Sequence, residues 1–393
     1  TVHNNGEKII DVPAEEVTKG FLYDRPYENP NHQFIEPDLS ETADCNTILK
    51  KMLSHENIAS RSVVYESYDK QVQGRTITEA GKSDSGVMAP FNSDDYPEEI
   101  RKVGIALSTD HNPRHSIISP YLGGVNAVVE AMRNVASVGA TPHAVSDCLC
   151  FGNPEKPHQM WEFVEAVRGV SDACNAITLK DNQEHSTPII AGNVSFYNES
   201  KSGAIPPSPI VSCLGRINNI EKTITMSLKN ADNVVLMIGA RKNELGGSLF
   251  YDLHGELGAN VPTPDLNEAK NQVYAITDCI DQILLSSCHD ISDGGIATAL
   301  SEMTFENNIG LCVTIPGDLA IEKLLFTETG GFVIEIDEKN LSQVESVLQG
   351  YDLDCYNIGT TTKEPKISIN DSIYISVEEA KHLWDNGLRN KIK

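Results

Sequence analysis

The chain has 393 residues, 40% hydrophobic and 22% charged, which is the composition of a globular protein long enough for two or three domains. Its formal net charge of −25 and pI near 4.7 argue against a surface that binds nucleic acid or docks on anionic membranes. Anionic ligands would have to be held by backbone N–H groups, local basic side chains or a bridging cation.

The sequence predicts a cytoplasmic protein without disulfides. No apolar run approaches the roughly 18 residues that a membrane helix needs, and the polar N-terminal segment shows no signal peptide. The nine cysteines are scattered and include no C-x-x-C pair, so reduced thiols are expected rather than a zinc site.

Residues 1–40 predict a terminal hairpin followed by an extended linker. Two short strands flank Asn4-Asn5-Gly6, a sequence typical of a tight hairpin turn. An isolated two-stranded ribbon is marginal in water, so we expect this one to belong to a sheet formed elsewhere, in a preceding domain. The segment after it is rich in Pro, Asn and Asp, as linkers are.

Two α/β domains are predicted over 41–218 and 219–375, with a polar helical tail over 376–393. In the first, the polar segment 178–186 is predicted to be a surface loop. The helix over 123–139 should place Val125, Val128, Val129 and Met132 on one face. The other elements predicted in chain order are a helix over 46–60, strands over 102–110, 142–152 and 187–197, a helix over 158–177, a strand over 233–239, a helix over 267–287, and strand–helix units over 288–308 and 331–362.

Three segments share one predicted design, in which a strand ends, small residues turn the chain, and an acid or amide faces the opening. They are 143–157, 189–199 and 288–300. Ligands of α/β folds gather outside strand ends, where free backbone N–H groups attract anions. The pattern therefore favours a phosphate and Mg²⁺ site, but the spacing does not give the reaction, since no P-loop or nucleophile signature is present.

Each candidate residue also has an ordinary structural interpretation. Asp147 could hold Mg²⁺ or a nucleotide, or cap a helix or turn. Gly192 could admit a phosphate to the backbone or simply form a turn. Asn193 offers an amide oxygen for Mg²⁺ and Ser195 a hydroxyl for a substrate, but both also suit Asx and Ser turns.

The third segment leaves the same choice open. Asp290 and Ser292 could meet a phosphate–metal cluster while Gly294 and Gly295 open the next helix, or the segment could be a capped helix start. Asp110 is a further strand-end acid. The spacing of His111 and His115 after it favours local hydrogen bonds over metal ligation.

Compared residue by residue, several segments are specific to one family. "YDRPYENP", "NIASRSVVYESYDKQVQG", "FGNPEKP", "GNVSFYNES" and "HDISDGGIATALSEM", in this order, resemble phosphoribosylformylglycinamidine synthase, of the kind whose synthetase is a separate subunit. The resemblance runs nearly end to end and is to the C-terminal half. It implies an α/β (α+β) fold of two domains, similar to the N- and C-terminal domains of aminoimidazole ribonucleotide (AIR) synthetase.

The resemblance also implies a reaction and partners. Members of the family convert formylglycinamide ribonucleotide, ATP and glutamine-derived ammonia to formylglycinamidine ribonucleotide, ADP and phosphate, with Mg²⁺, by phosphorylating the amide oxygen. The partners implied are the N-terminal half of the synthetase, a glutaminase subunit and a small accessory subunit. No nucleic acid or membrane partner is expected.

By matching position, Asp147 and Gly192 resemble ATP contacts, Asn193 a Mg²⁺ ligand and Ser195 a substrate contact. In the larger single-chain forms, the residues matching Asp290 and Ser292 contact metal and nucleotide. The family's catalytic histidines lie in the N-terminal half, which nothing here matches, so the chain alone is expected to be inactive.

Other interpretations stay open. The chain could be a non-catalytic nucleotide-binding and assembly half that holds a structural ADP. AIR synthetase and selenophosphate synthetase are disfavoured by "GNVSFYNES" and "FGNPEKP". The segment 327–331, where Thr327 replaces a family glycine, is assigned no role. Whether the chain is a split-gene product or an excised piece is not fixed by the sequence, and an isolated half could homodimerise through its apolar face.

Overall fold

The computed structural model describes residues 1–20, 23–39 and 44–392, and it has the predicted mixture of strands and helices. The strands are β1 (Val2–Asn4), β2 (Glu7–Ile10), β3 (Thr76–Thr78), β4 (Gly86–Met88), β5 (Gly104–Asp110), β6 (Thr141–Cys150), β7 (Thr178–Leu179), β8 (Asn182–Ser186), β9 (Ile189–Ser195), β10 (Glu199–Ser200), β11 (Gly203–Ala204), β12 (Ser208–Ile217), β13 (Val234–Ile238), β14 (Ser287–Ile291), β15 (Gly310–Val313), β16 (Gly331–Ile336), β17 (Cys355–Thr362), β18 (Lys366–Ile369) and β19 (Ile373–Ser376). The helices are α1 (Ala14–Lys19), α2 (Cys45–Leu53), α3 (Ser62–Tyr65), α4 (Glu98–Arg101), α5 (Pro113–Ile118), α6 (Pro120–Ala136), α7 (Pro157–Ala176), α8 (Leu249–Asp252), α9 (Leu266–Asp281), α10 (Gly295–Met303), α11 (Ile321–Phe326), α12 (Leu341–Gly350) and α13 (Val377–Gly387).

Two mixed sheets organise the chain. The first has strand order β3-β4-β5-β12-β6-β9, and the second has order β14-β16-β13-β17-β15-β18-β19. The pairs β6–β9 and β15–β18 are parallel and the other neighbours are antiparallel. Three short ribbons, β1–β2, β7–β8 and β10–β11, lie outside both sheets.

Helix α6 lies at the centre of the molecule. It begins after Ser119, whose side chain accepts a hydrogen bond from the Leu122 N–H, and it has Pro120 in its first turn. Thirteen of its seventeen residues are buried, and it packs on the first sheet, α7 and α9. The prediction of a single apolar face is therefore too narrow, because α6 is covered on several sides.

Two further predictions are corrected. The segment 178–186 is the surface hairpin β7–β8 rather than a loop. Its Lys180 donates to the Asp278 carboxylate (2.6 Å) and the Thr277 hydroxyl (2.7 Å), which fastens the hairpin to α9. The strand predicted over 187–197 is shorter, since β9 covers Ile189–Ser195; it is the edge strand of its sheet, and Ile190 is 64% exposed.

The segments at the two ends pack mainly beside the second sheet. Helix α2, predicted as part of the first domain, buries Ile48, Leu49 and Met52 in the apolar core of the second sheet, and α13 packs on it. The predicted boundary at residue 41 lies outside the described residues, and the division near residue 218 stays a prediction. Among the residues that the structure describes, none of the helices combines the length and apolarity of a membrane span.

The predicted N-terminal hairpin is present as β1–β2, with every residue exposed. Helix α1 follows the hairpin, and the linker residues 23–39 have no helix or strand. The linker is anchored by Glu36, whose carboxylate accepts hydrogen bonds from the Tyr251 hydroxyl (2.6 Å) and the Ala259 N–H (3.0 Å).

Candidate functional site

The first group of predicted site residues lies on the parallel strands β6 and β9. In their register, Asp147 is opposite Gly192, Cys148 opposite Asn193, and Cys150 opposite Ser195. These residues lie within extended strands, so the helix-cap and turn interpretations of Asp147, Gly192 and Asn193 are wrong. The two strands end at Cys150 and Ser195, two residues before the ends predicted at 152 and 197.

Asp147 and Gly192 are in direct contact. A Cβ atom on Gly192 would overlap the Asp147 carboxylate, so the glycine provides the space that this side chain occupies. Asp147 is half-buried, and its side chain makes no hydrogen bond within the described chain. Burial raises the pKa of its carboxyl group.

Asn193 and Ser195 face the other side of the sheet, because successive side chains of a strand point to opposite faces. Asn193 is exposed, and its side chain makes no hydrogen bond within the described residues. The Ser195 hydroxyl accepts a hydrogen bond from the Asn198 amide (3.1 Å). The four predicted residues are therefore adjacent, but they divide into one pair on each face of the sheet.

A second group forms a buried cluster between the two sheets, which we call the acid cluster. Its members are five carboxylates: Asp84, Asp110, Glu130, Asp290 and Asp293. They come from the segment before β4, the end of β5, helix α6, strand β14 and the turn after it. Asp84 and Asp290 have only 3% and 4% of their side-chain surface exposed.

Burial raises the pKa of every carboxyl group in the acid cluster for which a shift is resolved. The pKa values of Asp110 and Asp290 are raised to about 7, chiefly by loss of solvation. Burial and the neighbouring carboxylates raise those of Glu130 and Asp293 well above their ordinary value. The cluster is thus poised to bind protons or a cation near neutral pH.

Two basic side chains offset part of this charge. The Arg133 guanidinium lies 3.7 Å from Asp290 Oδ2 and 3.8 Å from Glu130 Oε2. His289 lies between Asp84 and Glu302, 2.6 and 3.2 Å from their carboxylate oxygens. Fully ionised, the five carboxylates would exceed these two cations by three charges.

The acid cluster fits a divalent cation with a preference for oxygen ligands. Asp290 Oδ2 and Asn134 Oδ1 are buried and accept no hydrogen bond from the residues that the structure describes, although buried acceptors are nearly always satisfied. Carboxylate oxygens of Asp84 and Asp290 lie within 4.8 Å of one another, close enough to share an ion. Mg²⁺ takes carboxylate and amide oxygens of this kind.

The third segment places Asp290 in strand β14 and Ser292 just after that strand. Asp290 belongs to the acid cluster. Gly294 and Gly295 have φ values of 77° and 69°, a left-handed conformation that favours glycine. Helix α10 begins at Gly295.

The prediction for the two histidines after Asp110 is wrong. Both nitrogens of His111 and His115 are buried without a hydrogen bond among the described residues. Burial and the nearby His115 lower the pKa of His111 to about 4, so its ring is neutral. Asp110 itself accepts a hydrogen bond from the Asn134 amide at 2.8 Å, which joins β5 to α6.

Sequence reasoning missed Asp84, Glu130 and Glu328. Glu130 lies with Arg133 and Asn134 on an otherwise apolar helix, and this i, i+3, i+4 polar group was a usable signal. No local pattern marks Asp84, because the residues it contacts lie on a strand about 200 residues later in the chain. Glu328, in the segment given no role, accepts from the Leu249 N–H (2.8 Å) and Gly294 N–H (2.9 Å).

The two groups lie in one row of the first sheet. Asp110 is opposite Val211 on β12, Val211 is opposite Asp147, and Asp147 is opposite Gly192. Two strand spacings separate Asp110 from Asp147, which is about 10 Å. We call the first group, Asp147, Gly192, Asn193 and Ser195, the β6–β9 pair. The acid cluster and the β6–β9 pair are therefore neighbouring but separate sites on the sheet.

Comparisons with known families identify both halves of the chain. Residues 84–217 match the family of the AIR synthase related protein, N-terminal domain, and residues 230–372 match the AIR synthase related protein, C-terminal domain. These matches confirm the predicted α/β fold with domains similar to those of AIR synthetase.

Curated relatives match the whole chain. Phosphoribosylformylglycinamidine synthase subunit PurL of Methanothrix thermoacetophila is 41% identical over 398 residues, covering 100% of this chain and 51% of the relative. The Methanocaldococcus jannaschii subunit is 34% identical, covering 96% of this chain and 51% of the relative. The chain thus spans about half the length of the curated relatives it matches.

Solved structures support the fold. The structure described as "T. maritima PurL complexed with FGAR" has a TM-score of 0.67 at 17% identity, covering 87% of this chain and 54% of that one. "T. maritima PurL complexed with ATP" has a TM-score of 0.63 at 17% identity, covering 85% and 51%.

Proposed function

We propose that this chain, a homologue of the PurL subunit of phosphoribosylformylglycinamidine synthase with both AIR synthase related domains, acts as the C-terminal half of that ATP-dependent carbon–nitrogen ligase. The observation that carries the proposal is the match of the whole chain, at 41% identity, to about half of such a subunit. The substrates are formylglycinamide ribonucleotide, ATP and ammonia, and the setting is the cytoplasm.

The acid cluster is our candidate for the Mg²⁺ and nucleotide site. Asp290, Asp84 and Asn134 would hold the ion, with Ser292 beside it, and the ion would neutralise phosphate charge. Oxygens of Asp290 and Asn134 that accept no hydrogen bond from the described residues support this assignment. Arg133 stays between the carboxylates and limits their mutual repulsion.

The β6–β9 pair is our candidate for contacts completed by the other half. Asp147 and Gly192 would contact ATP, Asn193 would bind Mg²⁺, and Ser195 would contact the substrate whose amide oxygen is phosphorylated. The exposure of Asn193 and of the edge strand β9 supports a site that another surface completes.

The missing surface is the complementary N-terminal half. On the face of the first sheet away from α6, Leu107 is 55% exposed and pairs with Leu214 on β12. We propose that this apolar face seats the other half, or a second copy of the chain when that half is absent. A glutaminase subunit and a small accessory subunit would complete the enzyme.

A reconstitution experiment tests the main proposal. The purified chain, given formylglycinamide ribonucleotide, MgATP and saturating ammonium, is expected to form no product, because the family's catalytic histidines have no match in it. Adding the separately produced N-terminal half should restore product and ADP formation in equal amounts. Robust turnover by the chain alone, or none by a stable mixture, would contradict the proposal.

A second candidate function is a non-catalytic nucleotide-binding and assembly module that holds a structural ADP. The observation that favours it is the separation of the buried acid cluster from the exposed β6–β9 pair, since a buried nucleotide could serve stability alone. Both functions predict binding of MgADP, but they differ in which residues affect turnover.

Asn193→Ala in the reconstituted enzyme separates the two functions. If the β6–β9 pair is catalytic, turnover should fall by about 100-fold, the scale seen when one transition-state contact is removed, while the melting temperature is unchanged. If the chain is a structural module, specific activity should stay normal. Asn230→Ala, the same substitution at an exposed position on the second domain, serves as the matched control.

A further inference from the structure

His289 links the acid cluster to the C-terminal helix through a chain of hydrogen bonds. Its Nδ1 lies 2.6 Å from Asp84 Oδ1, and its Nε2 lies 3.2 Å from Glu302 Oε2. The other oxygen of Glu302 accepts a hydrogen bond from the Trp384 indole N–H at 3.1 Å. The path thus joins the segment before β4, strand β14, helix α10 and helix α13.

The geometry makes His289 a donor at both ring nitrogens rather than a metal ligand. Each of its ring nitrogens faces a carboxylate oxygen at hydrogen-bond distance, of Asp84 and of Glu302, and an ionised carboxylate can only accept a hydrogen bond. A doubly protonated imidazole has no lone pair to offer a metal. Its contribution to a cation site must therefore act through the carboxylates beside it.

Asp84 is held in one orientation by two contacts. Its Oδ1 meets His289, and its Oδ2 accepts a hydrogen bond from the Asp290 N–H at 3.0 Å. No lysine or arginine side chain of residues 1–20, 23–39 and 44–392 lies within ion-pair distance of Asp84. His289 and the Asp290 N–H together therefore fix the orientation of this carboxylate, and His289 is the only one of the two contacts made by a side chain.

We propose that His289 is a positioning residue that orients Asp84 for cation binding and couples the occupancy of the acid cluster, through Glu302, to Trp384 on the C-terminal helix. The inference rests on the proposed function, because it takes the acid cluster as the cation site. Trp384 lies 5.4 Å from the Phe305 ring and is partly buried, so its fluorescence is sensitive to small movements of α13.

The test uses the full chain with Trp161→Phe, which leaves Trp384 as the single tryptophan. Titration with MgCl₂ alone is followed by calorimetry and by Trp384 emission. In this background the emission should change with the same midpoint as the calorimetric binding. His289→Gln should weaken Mg²⁺ binding by about 10-fold, as expected for a residue that orients a metal ligand, and should abolish the emission change.

Glu302→Gln separates the two parts of the inference. It leaves Asp84 and His289 in contact, so Mg²⁺ affinity should stay within about threefold of the parent, but the emission change should shrink. His289→Asn is made in parallel in case the glutamine variant fails to fold. Lys363→Gln, a change at an exposed position elsewhere on the second domain, is the control.

The outcomes distinguish this inference from the proposed function. Absence of Mg²⁺ binding by the parent protein would overturn the proposed cation site and the inference with it. Binding by the parent that is unchanged in the His289 variants, or an emission change unaffected by Glu302→Gln, would overturn the inference alone.

Discussion

Asp290→Asn is expected to abolish Mg²⁺ binding to the acid cluster while leaving the metal-free protein at least as stable as the wild type at pH 8. The Asp290 side chain is 4% exposed, and its Oδ2 has no hydrogen-bond partner. Even residues that only orient a metal ligand are worth about 10- to 100-fold in affinity. Loss of a direct carboxylate ligand should therefore lower Mg²⁺ affinity by more than about 100-fold.

The gain in stability follows from the direction of the pKa shift. The pKa of Asp290 rises from 3.8 to about 7 on folding, chiefly through burial. Between these values the folded protein binds more protons than the unfolded chain, so its stability falls as pH rises through this window. Above pH 7 the penalty is complete and on the order of 4 kcal/mol. Replacing Asp290 with asparagine, which does not ionise, removes this penalty.

Thermal melts in EDTA from pH 5 to pH 8 measure this effect, and calorimetry with MgCl₂ measures the binding. The wild type should lose stability across the range, and Mg²⁺ should restore it at pH 8. Asp290→Asn should show a flatter pH dependence and no response to Mg²⁺. Asp318→Asn, at an exposed position, should behave as the wild type. Wild-type Mg²⁺ affinity in Asp290→Asn would contradict the assignment.

The acid cluster shows why the sequence predicted one part of the site and not another. Asp290 was identifiable because it ends an apolar strand before two glycines, a local pattern. Asp84 is brought to it only by the packing of the first sheet against the second, and no spacing in the chain encodes that contact. Its partner His289 likewise looks like an ordinary strand residue until Asp84 is beside it.

Strand β9 shows a different limit of sequence interpretation. The apolar residues Ile189 and Ile190 indicate a strand correctly, but they also indicate burial, and the strand is exposed. Apolar periodicity shows which face of a strand is apolar. It does not show whether that face packs against this chain or against another protein surface. Of the two interpretations left open for Gly192, the turn is wrong, because the glycine makes room for Asp147 within a strand.

Helices α6 and α7 were the most predictable elements, but the distance between them could not be predicted. Long amphipathic patterns fix their existence and type. How closely they approach depends on Gly124 and Gly169, which the sequence alone does not distinguish from helix-weakening glycines. In the structure a Cβ atom on Gly169 would overlap the Tyr121 carbonyl oxygen, and one on Gly124 would overlap the Ala166 carbonyl oxygen.

Gly169→Ala is accordingly expected to destabilise the fold, although alanine is the better helix former. Alanine gains about 1 kcal/mol in helix propensity over glycine, but the new methyl group meets backbone atoms of α6 that no side-chain rotation can move. Overpacking of this kind typically costs about 1–3 kcal/mol, occasionally more. We expect the upper end, with a net loss of about 2 kcal/mol, measured by urea denaturation of the metal-free protein.

Gly350→Ala is the matched control for this loss, since Gly350 is also helical and a Cβ atom there meets nothing within 4 Å. It should stabilise slightly, by up to about 1 kcal/mol. Because α6 carries Glu130, Arg133 and Asn134, moving it away from α7 should also weaken Mg²⁺ binding in Gly169→Ala but not in Gly350→Ala. Equal stability of the two variants would show that α6 and α7 can move apart without strain. The close contact of these helices at Gly169 would then not be what positions α6 over the acid cluster.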